Sequence, residues 1–340
     1  MSTPRDIAAT APDGTAEVPV GPESMPTPQL PIELSVLVPV RDTDVTRLVD
    51  RLGREVLARR LPVDVHLYDD ASDGQTLARN TQIVTRAQCS GLDIHMHGST
   101  RNLGRAGARN ALVQHSQGRQ LLFLDADVLP DEPDFLRRYL SVDSGSAAVC
   151  GGISYRQCER VDAAHRFYLR YSGSASVATA SQRSMLPWAW TFTANVLIAR
   201  ATFERMPFDA GFQGYGYEDL EWGLRLHQAG LLRHIDNPVS HMGLLSKPTL
   251  ARKTSEAAAN LVRFAQCHPQ AAQSMALVRT AARLARLPAP LLRGAGRVCG
   301  LLFQRLPGPF ALEWALFQSE KVLRAALAWR QAAGRAKGQP

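Results

Sequence analysis

Residues 119–133 read RQLLFLDADVLPDEP, and the apolar run Leu121 to Leu124 leads straight into Asp125 and Asp127. On an extended chain, side chains two residues apart lie on the same side. Two carboxylates so placed can hold a cation between them. Their hard oxygens suit Mg²⁺ or Mn²⁺, which also accept phosphate oxygens and water. Such an ion acts as a Lewis acid on a diphosphate leaving group.

Other residues offer matching chemistry. In YDDASDG, Asp69 or Asp70 stands at a strand end and can accept hydrogen bonds from a base or ribose. In RNLGRAGARN, Arg101, Arg105 and Arg109 recur at spacing four and can share one helix face. Guanidinium forks suit phosphates, and the helix start near Gly104 adds backbone donors. The full G-x-G-x-x-G dinucleotide pattern is absent. In GYGYEDLEWGLRL, Glu218, Asp219 and Glu221 fall in the first turn of a predicted helix, where the macrodipole favours acids in any case. Gly214 and Gly216 allow a tight loop before them, walled by Tyr215, Tyr217 and Trp222. A carboxylate in an aromatic cleft can act as a general base on a hydroxyl. His241 in NPVSHMG is a candidate metal ligand, although a lone histidine is more often packed or solvated.

Several elements must position these groups. ELSVLVPV (33–40), VDVHLYDD (63–70), DIHMHG (93–98) and QLLFLDAD (120–127) read as strands. Helical spacing follows the first (Leu48, Leu52, Val56), and TLARNTQIVTRA and GRAGARNALVQHS separate the others. Strands alternating with helices predict a parallel sheet with right-handed crossovers. Ligands bind such sheets beyond the carboxyl ends of the strands. Asp42, Asp69 with Asp70, and Asp125 with Asp127 all fall at those ends. Further on, AAVCGGISY (147–155) is expected as one more strand, FTANVLIA (192–199) as another, 217–230 as a helix, 231–236 as a short strand and 249–267 as a helix.

Three regions follow from composition: an N-terminal arm over 1–31, rich in Pro, Ala, Thr and Gly and expected to be disordered; a catalytic-type domain over 32–247; and a basic, mostly helical extension over 248–340. No apolar run approaches the roughly 20 residues of a membrane span, and the N-terminus lacks the features of a secretory signal. Five scattered cysteines without a CxxC pair argue for reduced thiols in a cytosol, and against disulfides or zinc. From Arg279 onward there are eleven Arg or Lys against two acids, so the formal charge of +8 resides in this tail. LVRTAARLARL and EKVLRAALAWRQAAGR read as basic amphipathic helices. Two readings stand side by side: they lie on an anionic bilayer, at the inner face of the membrane, or they cap the domain. The body lacks the basic, aromatic-interleaved surface that nucleic acid requires.

In this order the motifs resemble a glycosyltransferase of family 2 with the GT-A fold. The resemblance covers roughly 33–245 and rests on SVLVPVRD, YDDASDG, STRNLGRAGARNALVQHSQGRQLLFLDADVLP, ANVLIARATFERMPFDAGFQGYGYEDLEWGLRL and SHMG. The fourth of these also resembles C-terminal segments of chondroitin-polymerase and galactosyltransferase type. The resemblance implies a Rossmann-like, mostly parallel α/β sheet flanked by helices, with a helical C-terminal extension. It also implies an enzyme that moves a sugar from a nucleotide-diphosphate donor, UDP by default, to an acceptor hydroxyl, with inversion and with Mn²⁺ or Mg²⁺. The acceptor would be a glycan or a lipid-linked molecule. By resemblance, Pro39, Val40 and Asp42 contact the nucleotide, Asp70 or Asp69 reads the base, and Arg101, Arg109, Asn110, Asp125 and Ala126 border the donor. Asp127 and His241 match metal ligands, Asp219 the catalytic base, and Glu218 its neighbour. Trp188, Trp190, Asn195, Tyr215 and Gly216 are expected on the sugar and acceptor side. Where the family often has Gly-Gly-Asn or Gly-Ala-Asn, this chain has Thr193-Ala194-Asn195. Two other classes remain open at this stage: a nucleotidyltransferase of related fold, although VPVRDTDV lacks the expected glycine-rich loop, and a non-catalytic nucleotide- or membrane-binding module.

Overall fold

The computed structural model describes residues 31–158 and 161–337. The arm expected over 1–31 lies outside them apart from its last residue. In chain order the first half runs β1 (Leu34–Val40), α1 (Thr46–Arg59), β2 (Val63–Asp70), α2 (Gly74–Cys89), β3 (Ile94–Ser99), α3 (Gly104–His115) and β4 (Gln120–Leu124). Then come β5 (Val128–Pro130), α4 (Phe135–Leu140), β6 (Ala148–Cys150), β7 (Ile153–Ser154), α5 (Arg166–Ser176), α6 (Ala180–Arg183), a 3-10 turn (Pro187–Trp190), β8 (Asn195–Ala199) and α7 (Arg200–Arg205). The chain continues through α8 (Glu218–Gln228), β9 (Leu232–His234), β10 (Val239–His241), α9 (Lys247–Cys267), α10 (Pro269–Ser274), α11 (Ala276–Leu284), α12 (Ala289–Arg305) and α13 (Phe310–Lys337).

The main sheet has seven strands in the order β3-β2-β1-β4-β8-β6-β9. The first four are parallel, and β8 alone runs against its neighbours β4 and β6. Both faces are covered, which is why β1 is almost continuously apolar. Val36, Val38 and Val40 pack on α1 and α2 through Leu48, Leu52, Ile83 and Val84. Leu37, Leu121 and Phe123 face Ala108 and Leu112 of α3 and Trp222 of α8. Each such fully buried Val or Leu contributes about 1.5–3 kcal/mol.

The segment expected as one strand over 147–155 is two. Gly151 and Gly152 break it, Gly152 at φ +91°. A Cβ at Gly151 would fall on the Tyr139 hydroxyl, the Asn195 amide and the Asn237 carbonyl. Beyond the break, β7 joins a second sheet in the order β5-β10-β7. In that sheet His241 pairs with Val128, the residue after Asp127.

The extension is packed against the rest of the unit. Leu261 and Phe264 of α9, Val278 and Ala281 of α11, and Ala325 and Ala326 of α13 share one cluster with Trp188 and Leu224. The apolar faces of α11 and α13, two of the helices that carry the basic amphipathic pattern, are therefore largely occupied by protein. No helix among the described residues is long and apolar enough to cross a membrane.

On β2 the alternation also explains a polar seam. Asp64 and His66 share the face opposite Val65, and both are buried. His66 Nε2 meets Asp64 at 2.9 Å, His66 Nδ1 meets His97 Nε2 at 3.1 Å, and the His97 ring stacks on His115 at 4.1 Å. Burial, with His115, His66 and His95 nearby, lowers the His97 pKa from 6.5 to about 4. The unfolded chain therefore takes up this proton first as pH falls, and stability is lost from pH 6.5 down to about 4. Urea midpoints measured across that window should fall for the wild type and fall less for His97→Gln. Equal slopes would remove His97 from this role.

Candidate active site

Parallel pairing brings the carboxyl ends of β1, β2 and β4 to one edge of the sheet. Because β8 is antiparallel, its leading residues Thr193 and Ala194 arrive at that same edge, where Asn195 pairs with Leu124. The start of α8 reaches it through a loop with Gly214 at φ +76° and Gly216 at φ +85°. Two adjoining cavities open there, of about 680 Å³ and about 390 Å³. Arg105, Asp125 and Tyr215 line both. Asp127 lines the larger and Asp219 the smaller.

Arg109 sits beneath them with 1% of its side chain exposed. Its Nη2 donates to Asp125 Oδ1 at 2.6 Å. Its Nη1 lies 3.9 Å from Glu218 and 4.0 Å from Asp219 and has no hydrogen-bond partner. Arg105 adds a second cation, 3.8 Å from Glu218. Burial alone would raise the Asp125 carboxyl, but Arg109, Arg105 and His241 outweigh it and hold that group below its ordinary pKa. Glu218 goes the other way. Burial and the adjacent Asp219 push it up to about 7, against the pull of the two arginines. Asp219 is the more accessible of the pair and is held by Thr193, whose hydroxyl donates at 2.7 Å and whose backbone N–H donates at 3.3 Å.

Asp127 Oδ1 stands 3.7 Å from His241 Nε2, beyond hydrogen-bond reach. The buried Nδ1 of His241 has no partner. A Cβ at Gly243 would come within 2.0 Å of Asp127 Oδ2 and 3.0 Å of the His241 ring, so glycine keeps this corner open. A carboxylate and an imidazole facing an open corner fit a divalent cation. Among the described residues no group of three or more His, Cys, Asp or Glu side chains is arranged to hold one. Completion of its shell would fall to a ligand's oxygens and water.

Pro39, Val40, Asp42, Asp70 and Ala126 line the larger cavity, and Gly216 and Tyr215 the smaller. Asp70 spends its carboxylate on the backbone N–H groups of Leu103 and Gly104, ordering the loop that opens α3. Other expected residues are not brought in. Asp69 alternates away and accepts from Ser72 N–H. Arg101 is exposed outside both cavities. Asn110 clasps the backbone of Phe208, donating to its carbonyl and accepting from its N–H. Asn195 is buried, donating to Gly152 and Asn237 carbonyls and accepting from Tyr139. Trp188 packs on Phe264, and Trp190 lies edge-on to Phe192. Residues that sequence reasoning passed over take their places. Arg252 and Lys253 of α9 line the larger cavity, and Lys253 Nζ lies 5.0 Å from the Tyr215 ring centre, with Arg105 at 4.7 Å. Tyr155, Tyr168 and Phe192 wall the smaller one, with Leu277, Lys321 and Ala325 from the extension.

Residues 35–210, more than half of the chain, match the family described as glycosyl transferase family 2. A validoxylamine A glucosyltransferase of Streptomyces hygroscopicus subsp. limoneus is 28% identical over 279 residues, covering 74% of this chain and 60% of the relative. The protein of the same name from Streptomyces hygroscopicus subsp. jinggangensis is 28% identical over 189 residues, covering 48% and 44%. The chain thus spans less than two thirds of the length of these curated relatives. Among solved structures, the mannosyltransferase PcManGT from Pyrobaculum calidifontis, in complex with GDP-Man and Mn²⁺, is similar at a TM-score of 0.51 and 17% identity, over 93% of this chain and 90% of that one. At that identity the likeness is one of fold.

Removing Arg109 would leave three clustered carboxylates without their buried cation. Arg109→Met should lower unfolding free energy by about 3 kcal/mol, the low end for a broken buried pair because Asp125 keeps 20% of its side chain exposed. Urea denaturation checks this. A loss below about 1 kcal/mol, the scale of an exposed pair, would show that the guanidinium is not what holds the acids together.

Proposed function

The chain belongs to glycosyl transferase family 2, and we propose that it moves a sugar from a nucleotide-diphosphate donor to an acceptor hydroxyl in one inverting, metal-dependent displacement. The observation that carries this reading is the shared contact of Arg109 with Asp125 and, within 4.0 Å, with Glu218 and Asp219. It places the two acid pairs at the junction of two cavities rather than on separate surfaces. The larger cavity is the donor side. Pro39, Val40 and Asp42 border the nucleoside there, and Arg105, Arg252 and Lys253 face the diphosphate. UDP-sugars are the first donors to test. Asp127 and His241 would hold Mn²⁺ or Mg²⁺, which supplies charge neutralisation to the departing diphosphate.

The smaller cavity is the acceptor side. Asp219 takes the proton of the attacking hydroxyl as general base. Thr193 fixes its orientation, and Glu218 lies buried behind it, between Arg105 and Arg109. Inversion is what the family resemblance implies; a single displacement then needs Asp219 and the departing diphosphate on opposite sides of the anomeric carbon. Ala126 lies between the two acids of the D-x-D and leaves room for the sugar beside them.

Asp219→Asn should cut the transfer rate by roughly 10²–10⁴-fold while a thermal shift with UDP is kept. Retained transfer would remove Asp219 from the base role. In the wild type, activity should rise with pH through about 7, as Glu218 loses its proton. Glu218→Gln should move that rise to lower pH. An unmoved profile would separate Glu218 from the titration.

The metal reading is checked without turnover. Gly243→Ala pushes a methyl group into the Asp127–His241 corner. It should weaken Mn²⁺ binding, read by the thermal shift with MnCl₂ and UDP, by about 10–100-fold. Full wild-type activity in excess EDTA would sink the cation role.

A further inference from the structure

The α12 helix has two faces of different character. Leu292, Gly296, Gly300 and Phe303 point inward. Gly300 admits the Glu320 side chain of α13 so closely that a Cβ would fall 2.5 Å from it. On the opposite face Leu291 (55% exposed), Val298 (56%) and Leu301 (51%) stand in water with Leu302. Further exposed apolar side chains follow past the helix end, Leu306 and then Leu312 and Trp314 at the start of α13. Arg293, Arg297 and Arg305 flank these apolar side chains, all exposed, with Arg283 at the end of α11 and Arg286 on the turn that follows. None of these five has an ion-pair partner among the described residues. The chain has no acid between Arg279 and Glu313. Glu313 is committed to Lys247, and Glu320 lies 3.5 Å from Arg324.

An apolar stripe of this extent marks an interaction surface. Its charge selects the partner. Two copies of the chain meeting through this face would oppose their arginines, since a two-fold contact sets each patch against itself. An anionic bilayer matches both features, because apolar side chains enter the headgroup boundary while arginines reach the phosphates. We infer that the outward face of α12 and the α12–α13 turn dock the protein on an anionic lipid surface. This is not the surface marked by the sequence pattern, whose α11 and α13 helices turn their apolar sides into the protein. The inference does not depend on the glycosyl-transfer reading.

Co-sedimentation of the full chain with vesicles tests it. The protein should pellet with vesicles of phosphatidylglycerol and phosphatidylcholine in equal parts, and stay in solution with phosphatidylcholine alone. About 0.5 M NaCl should release it. The triple change Arg293→Gln, Arg297→Gln and Arg305→Gln should weaken partitioning by about a hundredfold. Val298→Ser, Leu301→Ser and Leu302→Ser together should weaken it at least tenfold. All six positions are exposed, so unchanged thermal melts should accompany both variants. The inference is overturned if the wild type ignores anionic vesicles or if the serine variant pellets like the wild type. It is also overturned if sedimentation velocity shows a dimer that the serine changes dissociate while vesicles bind neither form.

Discussion

A guanidinium shut away from water among carboxylates is the constraint on which the site depends. Arg109 enters from α3, Asp125 from the end of β4, and Glu218 and Asp219 from the start of α8. The first two are consecutive elements of the chain, and the third lies far downstream. Alone, the three acids would repel one another and each would resist burial. Around Arg109 and Arg105 they coexist, and they separate in character: Asp125 is held ionised while Glu218 is driven toward its neutral form. A carboxyl held at about 7 next to the proposed base suits proton transfer near neutral pH.

The sheet supplies the geometry for that cluster. Parallel strands deliver their carboxyl ends to one edge, and the single reversed strand, β8, delivers its amino end to the same edge. The small β5-β10-β7 sheet does the equivalent for the cation corner. Its antiparallel register sets His241 against Val128, and so beside Asp127, across more than a hundred residues of chain. Thr193 shows how one residue type alters such a site. Where the resembled family often has glycine, a hydroxyl here grips Asp219 and fixes the orientation of its carboxylate.

Much of the first half was legible because its signals are local. Apolar runs of five to eight residues gave β1, β2 and β4, and acids at their ends gave the binding edge. The three-residue strands β5 and β10 escaped notice, although the equally short β9 lay within an expected strand, and one expected strand broke at a glycine pair whose role depends on Tyr139 and Asn237. Alternation on β2 lets one of Asp69 and Asp70 face the cavity, but the choice of side belongs to the sheet. Asn110 and Asn195 read as ligand-binding amides, and each is consumed by backbone groups 42 to 98 residues away. Arg252 and Lys253 are not singled out within the helix expected over 249–267. What makes them wall residues is the packing of α9 across Tyr215, and no spacing in the sequence announces that.

The matched family segment ends at residue 210, yet the smaller cavity is closed by Leu277, Lys321 and Ala325, far beyond it. That segment also stops short of Glu218, Asp219, His241, Arg252 and Lys253, so both cavities draw on residues beyond it. On the reading proposed above, the helical extension would share in recognising the molecule that receives the sugar. A change confined to those helices would then reshape the smaller cavity while leaving residues 35–210 untouched.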